Sequence, residues 1–238
     1  MVLQVIGFDG DDTLWHNERI FTLTQERVRA MLSRYVPPEL VDQSLLATEI
    51  RNLAAFGYGI KGFTLSMIET AIEVSKGRIG GTEIREILNA GREMLAHPVE
   101  LLPDVREVLE ELSAGTRLLL ITKGDLFDQE SKIARSGLVN LFWRVEVVSE
   151  KDEASYARVL ARHAIPPEHF LMIGNSLRSD ILPVVAIGGR AVHVPYHTTW
   201  AHEHVEVDEL HHNGFWRLER LRDLPALVDQ VRGAAPSE

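Results

Sequence analysis

The feature that most constrains the fold is an alternation of short apolar runs and amphipathic segments in the second half of the chain. After residue 97, strand-like runs such as "TRLLLIT" and "HFLMIGN" alternate with segments of helical periodicity. A further apolar run, "VLQVI", stands near the start of the chain. Parallel strands joined by right-handed helical crossovers produce this pattern. The sequence therefore predicts an α/β fold with a doubly wound parallel sheet.

Residues 16–96 interrupt the alternation with helical segments alone. The first of them, "NERIFTLTQERVRAMLSRYV", stops at Pro37 and Pro38, and the glycine-punctuated "GYGIKG" separates the second from the third. We therefore expect an all-helical domain at 16–96, inserted after the first strand. Residues 1–15 and 97–238 would then form the α/β core.

Composition restricts the partners and the location of the protein. The 238 residues are 45% hydrophobic, which is enough to bury a substantial core. Acidic residues outnumber basic ones 35 to 25, and the net charge of -10 argues against non-specific binding to nucleic acid or to an anionic membrane. The absence of cysteine excludes disulfides and thiolate metal sites. Because the N-terminal apolar run is too short to span a bilayer, we expect a cytoplasmic protein. The sequence does not indicate an oligomeric state.

Polar side chains follow the ends of four of the predicted strands. In a doubly wound sheet, ligands bind at the carboxyl ends of the strands. The residues delivered there are Asp9 and Asp11 after the first strand, Thr122 after the second, Lys151 after the third, and Asn175 and Asp180 after the fourth. Each of them alone could be a helix cap or a surface residue. Their convergence on one edge predicts a functional site.

This set of residue types suits phosphoryl transfer through a covalent aspartyl intermediate. One carboxylate attacks phosphorus, and a divalent cation neutralises the repulsion between the two anions. Hard oxygen ligands favour Mg²⁺ as that cation. A hydroxyl and an ammonium hold the phosphoryl oxygens, while a second carboxyl protonates the leaving alkoxide and later activates water.

The segments "DGDDT", "LLLIT" and "GNSLRSD", together with Lys151, are similar in order and approximate spacing to the four motifs of the haloacid dehalogenase (HAD) superfamily. The resemblance covers nearly the whole chain and points to the phosphatase branch with a helical cap inserted after the first strand. It implies that Asp9 is the nucleophile and that Asp11 is the general acid and base, with its backbone carbonyl on the metal. It also implies that Thr122 and Lys151 bind phosphoryl oxygens. The remaining ligands that it implies for Mg²⁺, beside Asp9 and Asp11, are Asn175 and Asp180.

The sequence departs from the family pattern at two positions. Asn175 stands where the fourth motif commonly has aspartate, so we expect weaker metal affinity; the alternative is that its amide points elsewhere and Asp180 binds the metal alone. Asp12 stands where many members have glycine, and we expect a loop or capping residue that points away from the metal. Gly10 would allow the backbone to turn so that Asp9 and Asp11 share one site.

Other polar residues are less informative. His16, directly after the first motif, is a candidate substrate contact. Lys123 could help to hold phosphate, although a position facing water is the simpler interpretation. For the six histidines near the C-terminus we expect a structural or surface role, with His197 the one that could lie near the site; they are His193, His197, His202, His204, His211 and His212.

The combined interpretation is a Mg²⁺-dependent phosphomonoester hydrolase acting on a small soluble phosphorylated metabolite, with a small-molecule phosphate ester as its partner. Three alternatives remain open. A phosphosugar mutase would use the same two aspartates. A 2-haloacid dehalogenase shares the fold and the aspartate nucleophile, but the resemblance there implies no metal and no second acid. A non-catalytic phosphoacceptor module of the response-regulator kind uses similar residues, but it is about half this length and has no insert.

Overall fold

The structure is a computed structural model that describes residues 3–197, 200 and 215–233. Its chain divides into two compact units. The first, called the sheet unit, consists of Met1–His16, Val99–Lys123 and Lys132–Glu238 as far as these are described. The second, called the helical unit, consists of Asn17–Pro98 and Gly124–Ser131.

The sheet unit is built on six parallel strands. They are β1 (Val5–Phe8), β2 (Arg117–Lys123), β3 (Arg144–Val148), β4 (Phe170–Gly174), β5 (Arg190–His193) and β6 (Phe215–Arg217). Their order across the sheet is β3-β2-β1-β4-β5-β6. The chain builds the sheet outward from β1, with β2 and β3 on one side and β4 to β6 on the other, as expected for a doubly wound sheet. The prediction of this fold class is confirmed, while β6 has no counterpart in the sequence analysis.

Nine helices lie in the described residues. Those of the helical unit are α1 (Glu18–Leu32), α2 (Pro38–Phe56), α3 (Ile60–Val74) and α4 (Gly81–Ala96). The others are α5 (Val105–Ser113), α6 (Leu126–Ser136), α7 (Glu153–Arg162), α8 (Leu182–Ala186) and α9 (Leu224–Gly233). One π-helical turn, Leu177–Ile181, directly precedes α8. No helix among the described residues is long and apolar enough to cross a membrane.

Each face of the sheet buries its own apolar cluster. In β1, Ile6 and Phe8 belong to one cluster and Val5 to the other. In β2, Leu120 and Leu119 divide in the same way. This alternation explains why the strands read as continuous apolar runs, since a parallel sheet covered on both faces needs apolar residues at every position.

The helical unit has a separate core. Four of its largest fully buried side chains are Leu32, Leu45, Met67 and Ile87, one from each of its helices. Residues 124–131 group with this unit, where Lys61 Nζ donates to Asp125 Oδ1 at 2.9 Å.

Candidate active site

The loop after β1 turns sharply because Asp12 adopts a left-handed conformation, with φ of 60°. The Gly10 carbonyl accepts from the Leu14 amide at 2.8 Å, and the Asp12 amide donates to the Trp15 carbonyl at 2.8 Å. Gly10 is required for space, because a Cβ there would lie 2.7 Å from Trp15 Cζ2. The turn thus begins at Gly10, and Asp12, which is buried in the loop, takes its left-handed position.

The carboxylate of Asp9 lies at the centre of a buried polar network. Its Oδ1 accepts from Lys151 Nζ, and its Oδ2 accepts from Thr13 Oγ1 at 3.1 Å. Lys151 Nζ also donates to Asp180 Oδ1 at 2.7 Å. Asp9, Lys151 and Asp180 are all buried. Three residues that the sequence places at the ends of different strands are thus in direct contact.

Burial and neighbouring charges shift the proton affinities of this network. Burial raises the pKa of Asp9 to about 7, against the attraction of the Lys151 ammonium, and the Asp180 carboxylate adds to the rise. Burial alone would lower the pKa of Lys151, but Asp180 and Asp9 outweigh it and hold that pKa well above its ordinary value. Lys151 is therefore charged and can attract an anionic group to Asp9.

The position of Asp180 depends on the close approach of β4 to the π-helical turn. A Cβ on Gly174, the last residue of β4, would lie 2.3 Å from the Asp180 carboxyl. Asp180 Oδ2 accepts from the Ser176 amide at 3.0 Å, and the Asp180 amide donates to the Ser176 carbonyl at 2.8 Å. Glycine before Asn175 is needed because only a residue without a side chain leaves room for this carboxylate.

Asp11 has partners of its own. Lys132 Nζ donates to Oδ1 and Oδ2 of Asp11, both at 2.7 Å, and Trp15 Nε1 donates to Oδ1 at 2.6 Å. The Asp11 side chain is 23% exposed, whereas that of Asp9 is 9% exposed. The two carboxyl groups therefore lie in different environments, one deep beside Lys151 and one closer to the surface beside Lys132.

Asn175 brings its amide to three oxygen atoms. The orientation that satisfies its neighbours has Nδ2 donating to Asp9 Oδ2 at 3.2 Å, the Asp11 carbonyl at 3.3 Å and Thr13 Oγ1 at 3.2 Å. Oxygens that converge in this way suit a hard cation such as Mg²⁺. Within the described part of the chain, no three His, Asp or Glu side chains are grouped to hold a metal ion. A cation here would thus rely on carbonyl and amide oxygens as well as on carboxylates.

Thr122 and Lys123 end β2 beside this network. Thr122 is buried, and its Oγ1 lies 3.4 Å from the position that a Cβ on Gly10 would take. Lys123 Nζ donates to Ser179 Oγ at 2.9 Å and lies 3.6 Å from Glu150 Oε1. Its side chain is 16% exposed, so it packs along the protein rather than extending into water.

A sequence model of haloacid dehalogenase-like hydrolases matches residues 3–188. The chain belongs to this family. The match confirms the superfamily that the four motifs predict. A haloacid dehalogenase-like family hydrolase from Xanthomonas campestris has 46% sequence identity and a TM-score of 0.87, covering 97% of this chain and 92% of that one. No curated protein matches the sequence.

Two structures of lower identity share the fold of this haloacid dehalogenase-like hydrolase. The HAD-hydrolase YfnB from Bacillus subtilis, bound to magnesium, is 15% identical with a TM-score of 0.66, over 96% of this chain and 100% of that one. A 2-haloacid dehalogenase from Pseudomonas syringae pv. Tomato is 19% identical with a TM-score of 0.62, over 97% and 100%. Because one fold serves a magnesium-bound hydrolase and a dehalogenase, the reaction has to be argued from the residues of the site.

The histidines noted in the sequence have different surroundings in the hydrolase. His16 Nδ1 lies 2.6 Å from the hydroxyl of Tyr196, whose ring centroid is 4.0 Å from that of His197. His193 ends β5, and its Nε2 lies 3.0 Å from the Asn175 carbonyl. Burial lowers the pKa of His193, so its ring is neutral at neutral pH. The others fall outside the described residues; they are His202, His204, His211 and His212.

Sequence reasoning missed several residues of the site. Thr13 could have been found, because it closes the segment "DGDDT" that carries Asp9. Tyr156 donates its hydroxyl to the Ser179 carbonyl at 3.1 Å, and burial raises its pKa well above the ordinary value. Lys132 has no motif around it in the sequence, and only the placement of α6 reveals it beside the first motif.

Proposed function

We propose that this hydrolase is a Mg²⁺-dependent phosphomonoesterase that acts through an aspartyl-phosphate intermediate on a small phosphorylated metabolite. The observation that carries the proposal is the contrast between two carboxyl groups separated by one residue. Asp9 is buried against Lys151, as a nucleophile that must attract an anion requires. Asp11 is more exposed and is held by Lys132, as suits a group that exchanges protons with a leaving group and with water.

In the first step, an Asp9 carboxylate oxygen attacks phosphorus. The bond between phosphorus and the ester oxygen breaks, and its electron pair goes to that oxygen, which takes the proton of the Asp11 carboxyl group. The products are the free alcohol and a phosphoryl group on Asp9. Lys151 and the Thr122 hydroxyl are the candidate groups that hold the phosphoryl oxygens as charge redistributes.

In the second step, a water oxygen attacks the phosphorus of the aspartyl phosphate. Asp11, now a carboxylate, takes one proton from that water. The bond between phosphorus and the Asp9 oxygen breaks, which restores the Asp9 carboxylate and releases inorganic phosphate. The Asp11 carboxyl group is protonated again, so the cycle closes without any other proton donor.

The oxygens around Asn175 are the candidate holders of Mg²⁺. They are the Asp9 carboxylate, the Asp11 carbonyl and the Asn175 amide oxygen after rotation of the amide, with Asp180 as the fourth. When bound, the cation supplies positive charge that lowers the repulsion between the nucleophile and the phosphate. The neutral amide at Asn175 supports the expectation of weaker affinity than a second carboxylate would give.

A 2-haloacid dehalogenase is the second candidate. The observation that favours it is the Asp9–Lys151–Asp180 network, which provides a buried nucleophile and a cation whether or not a metal binds. In that reaction Asp9 would displace a halide, and the proton of Asp11 would have no part. Lys132 and Trp15, both buried, donate to Asp11. Because only the phosphatase reaction uses Asp11, we place the phosphatase first.

The test is hydrolysis of p-nitrophenyl phosphate by the wild type and by Asp9→Asn, each with Mg²⁺ and with EDTA. We expect metal-dependent turnover that Asp9→Asn lowers by at least about a thousandfold, because the covalent route is lost. Chloroacetate is assayed in parallel for chloride release. Chloride release with EDTA present and no phosphatase activity would replace this proposal with the dehalogenase.

A further inference from the structure

The Asp11 carboxyl group is fixed by two donors that come from different elements of the sheet unit. Lys132, on α6, bonds to both carboxyl oxygens at 2.7 Å. Trp15, in the loop that carries Asp11, bonds to Oδ1 at 2.6 Å. Lys132 and Trp15 are only 8% and 1% exposed, so the surrounding protein holds both donors in place. Three hydrogen bonds on two oxygens define both the position and the plane of this carboxyl group.

We propose that Lys132 is a positioning residue that holds Asp11 for proton transfer to the leaving group. The inference rests on the proposed phosphatase function. A general acid acts only within hydrogen-bond reach of the oxygen that it protonates, and a partly exposed aspartate would otherwise sample several rotamers. The two-point contact with the Lys132 ammonium removes that freedom, and it stabilises the carboxylate that Asp11 becomes as the proton leaves. Lys132 therefore acts through Asp11 and not on the phosphate.

This role differs measurably from that of a phosphate ligand. A lysine that binds phosphate contributes to every phosphate ester alike. A lysine that positions a general acid contributes most when the leaving oxygen is basic and needs a proton. Phenyl phosphate and p-nitrophenyl phosphate have the same ring, but phenolate is much the more basic leaving group. The ratio of their kcat/KM values therefore reports on Asp11, since kcat/KM covers the first step.

The experiment compares that ratio in the wild type, Lys132→Met, Lys132→Arg, Asp11→Asn and the double variant Asp11→Asn/Lys132→Met. We expect Lys132→Met to lower kcat/KM about 30-fold or more for phenyl phosphate and less than about 5-fold for p-nitrophenyl phosphate, given the usual size of general-acid effects. Lys132→Arg keeps a charged two-point donor and should recover most of the loss. In the Asp11→Asn background, Lys132→Met should not change the ratio further. Arg135→Met, at an exposed position on the same helix, is the control.

The possible results separate the positioning role of Lys132 from the phosphatase function itself. An equal loss on both esters, no loss in Lys132→Met, or a further change of the ratio in the double variant would overturn the positioning role while leaving the phosphatase intact. A folded wild type that hydrolyses neither ester would overturn the proposed function and this inference with it. If Lys132→Met does not fold, Trp15→Phe removes the other donor to Asp11 and should shift the ratio in the same direction.

Discussion

At the residue scale, the crowding of three aspartates in four positions is resolved by giving each a different environment. Asp9 is buried against Lys151, Asp11 is paired with Lys132, and Asp12 turns the backbone in a left-handed conformation. Two unit charges about 4 Å apart interact by roughly 4 kcal/mol at an effective dielectric of ~20. A nearby ammonium for each of the first two carboxylates offsets a repulsion of that size. The sequence gives no sign of the second of these ammonium groups, because it comes from a distant helix.

The raised pKa of Asp9 predicts a pH-dependent stability. In the folded protein this pKa is about 7, above the ordinary value of 3.8, so the folded state binds the proton more tightly than the unfolded chain. The contribution of Asp9 to the free energy of unfolding is therefore present at low pH, and it is lost as the pH rises from about 4 to about 7. Asp9→Asn has no such loss. Relative to the wild type, it should gain stability with pH, by up to about 1.4 kcal/mol per pH unit across that interval.

Urea unfolding in EDTA at about pH 5 and about pH 8 checks this prediction. The matched control is Asp229→Asn, whose parent side chain is 80% exposed; its stability should follow that of the wild type at both pH values. A difference in stability between Asp9→Asn and the wild type that stays the same at both pH values would contradict the prediction, because it would mean that Lys151 keeps Asp9 ionised throughout.

At the scale of elements, apolar runs were sufficient to predict β1, β2, β4 and β5 because most of their residues are buried. The alternating run "RVEVVS" indicated β3, which lies at one edge of the sheet and is only partly buried. β6 was missed because a strand of three residues is too short to show an apolar or alternating pattern in the sequence. The meeting of Asp9, Lys151 and Asp180 followed from the rule that parallel strands end at one edge. The pairing of Lys132 with Asp11 could not be predicted, since helical periodicity locates α6 but not its rotation against the sheet.

The junction between β4 and the π-helical turn supplies a prediction at this scale. In Gly174→Ala, the new methyl group would lie 2.3 Å from the Asp180 carboxyl, so the aspartate must move and its bond to Lys151 must lengthen or break. We expect a loss of about 1–3 kcal/mol in the free energy of unfolding, as for other overpacked sites. Turnover of p-nitrophenyl phosphate should fall with it.

Gly81→Ala is the control for this variant, because a Cβ at that position meets nothing within 4 Å. It should keep both stability and turnover. If the two alanine variants had the same free energy of unfolding and the same turnover, the backbone at the end of β4 would have to shift without moving Asp180, and the prediction would be wrong.

At the scale of the whole molecule, each hydrophobic core lies within a single unit. The two clusters on the sheet faces are formed by residues of the sheet unit, and the third is formed by residues of the helical unit. The chain leaves the sheet unit after His16 and returns at Val99. These two ends are neighbours, because the His16 amide donates to the Glu100 carbonyl at 2.9 Å and Trp15 pairs with Leu101.

This arrangement predicts that the sheet unit folds without the insert. The variant replaces residues 17–98 with a short glycine–serine linker. Because the two chain ends that the linker joins are already hydrogen-bonded neighbours, closing it costs little conformational entropy. We expect a single cooperative urea transition with a smaller m value than that of the full chain, because less surface is exposed on unfolding. Residues 124–131 lose their packing partners and should exchange their amide hydrogens fast. A non-cooperative transition, or a chain that binds hydrophobic dyes in the absence of urea, would mean that the sheet unit needs the helical unit to complete its fold.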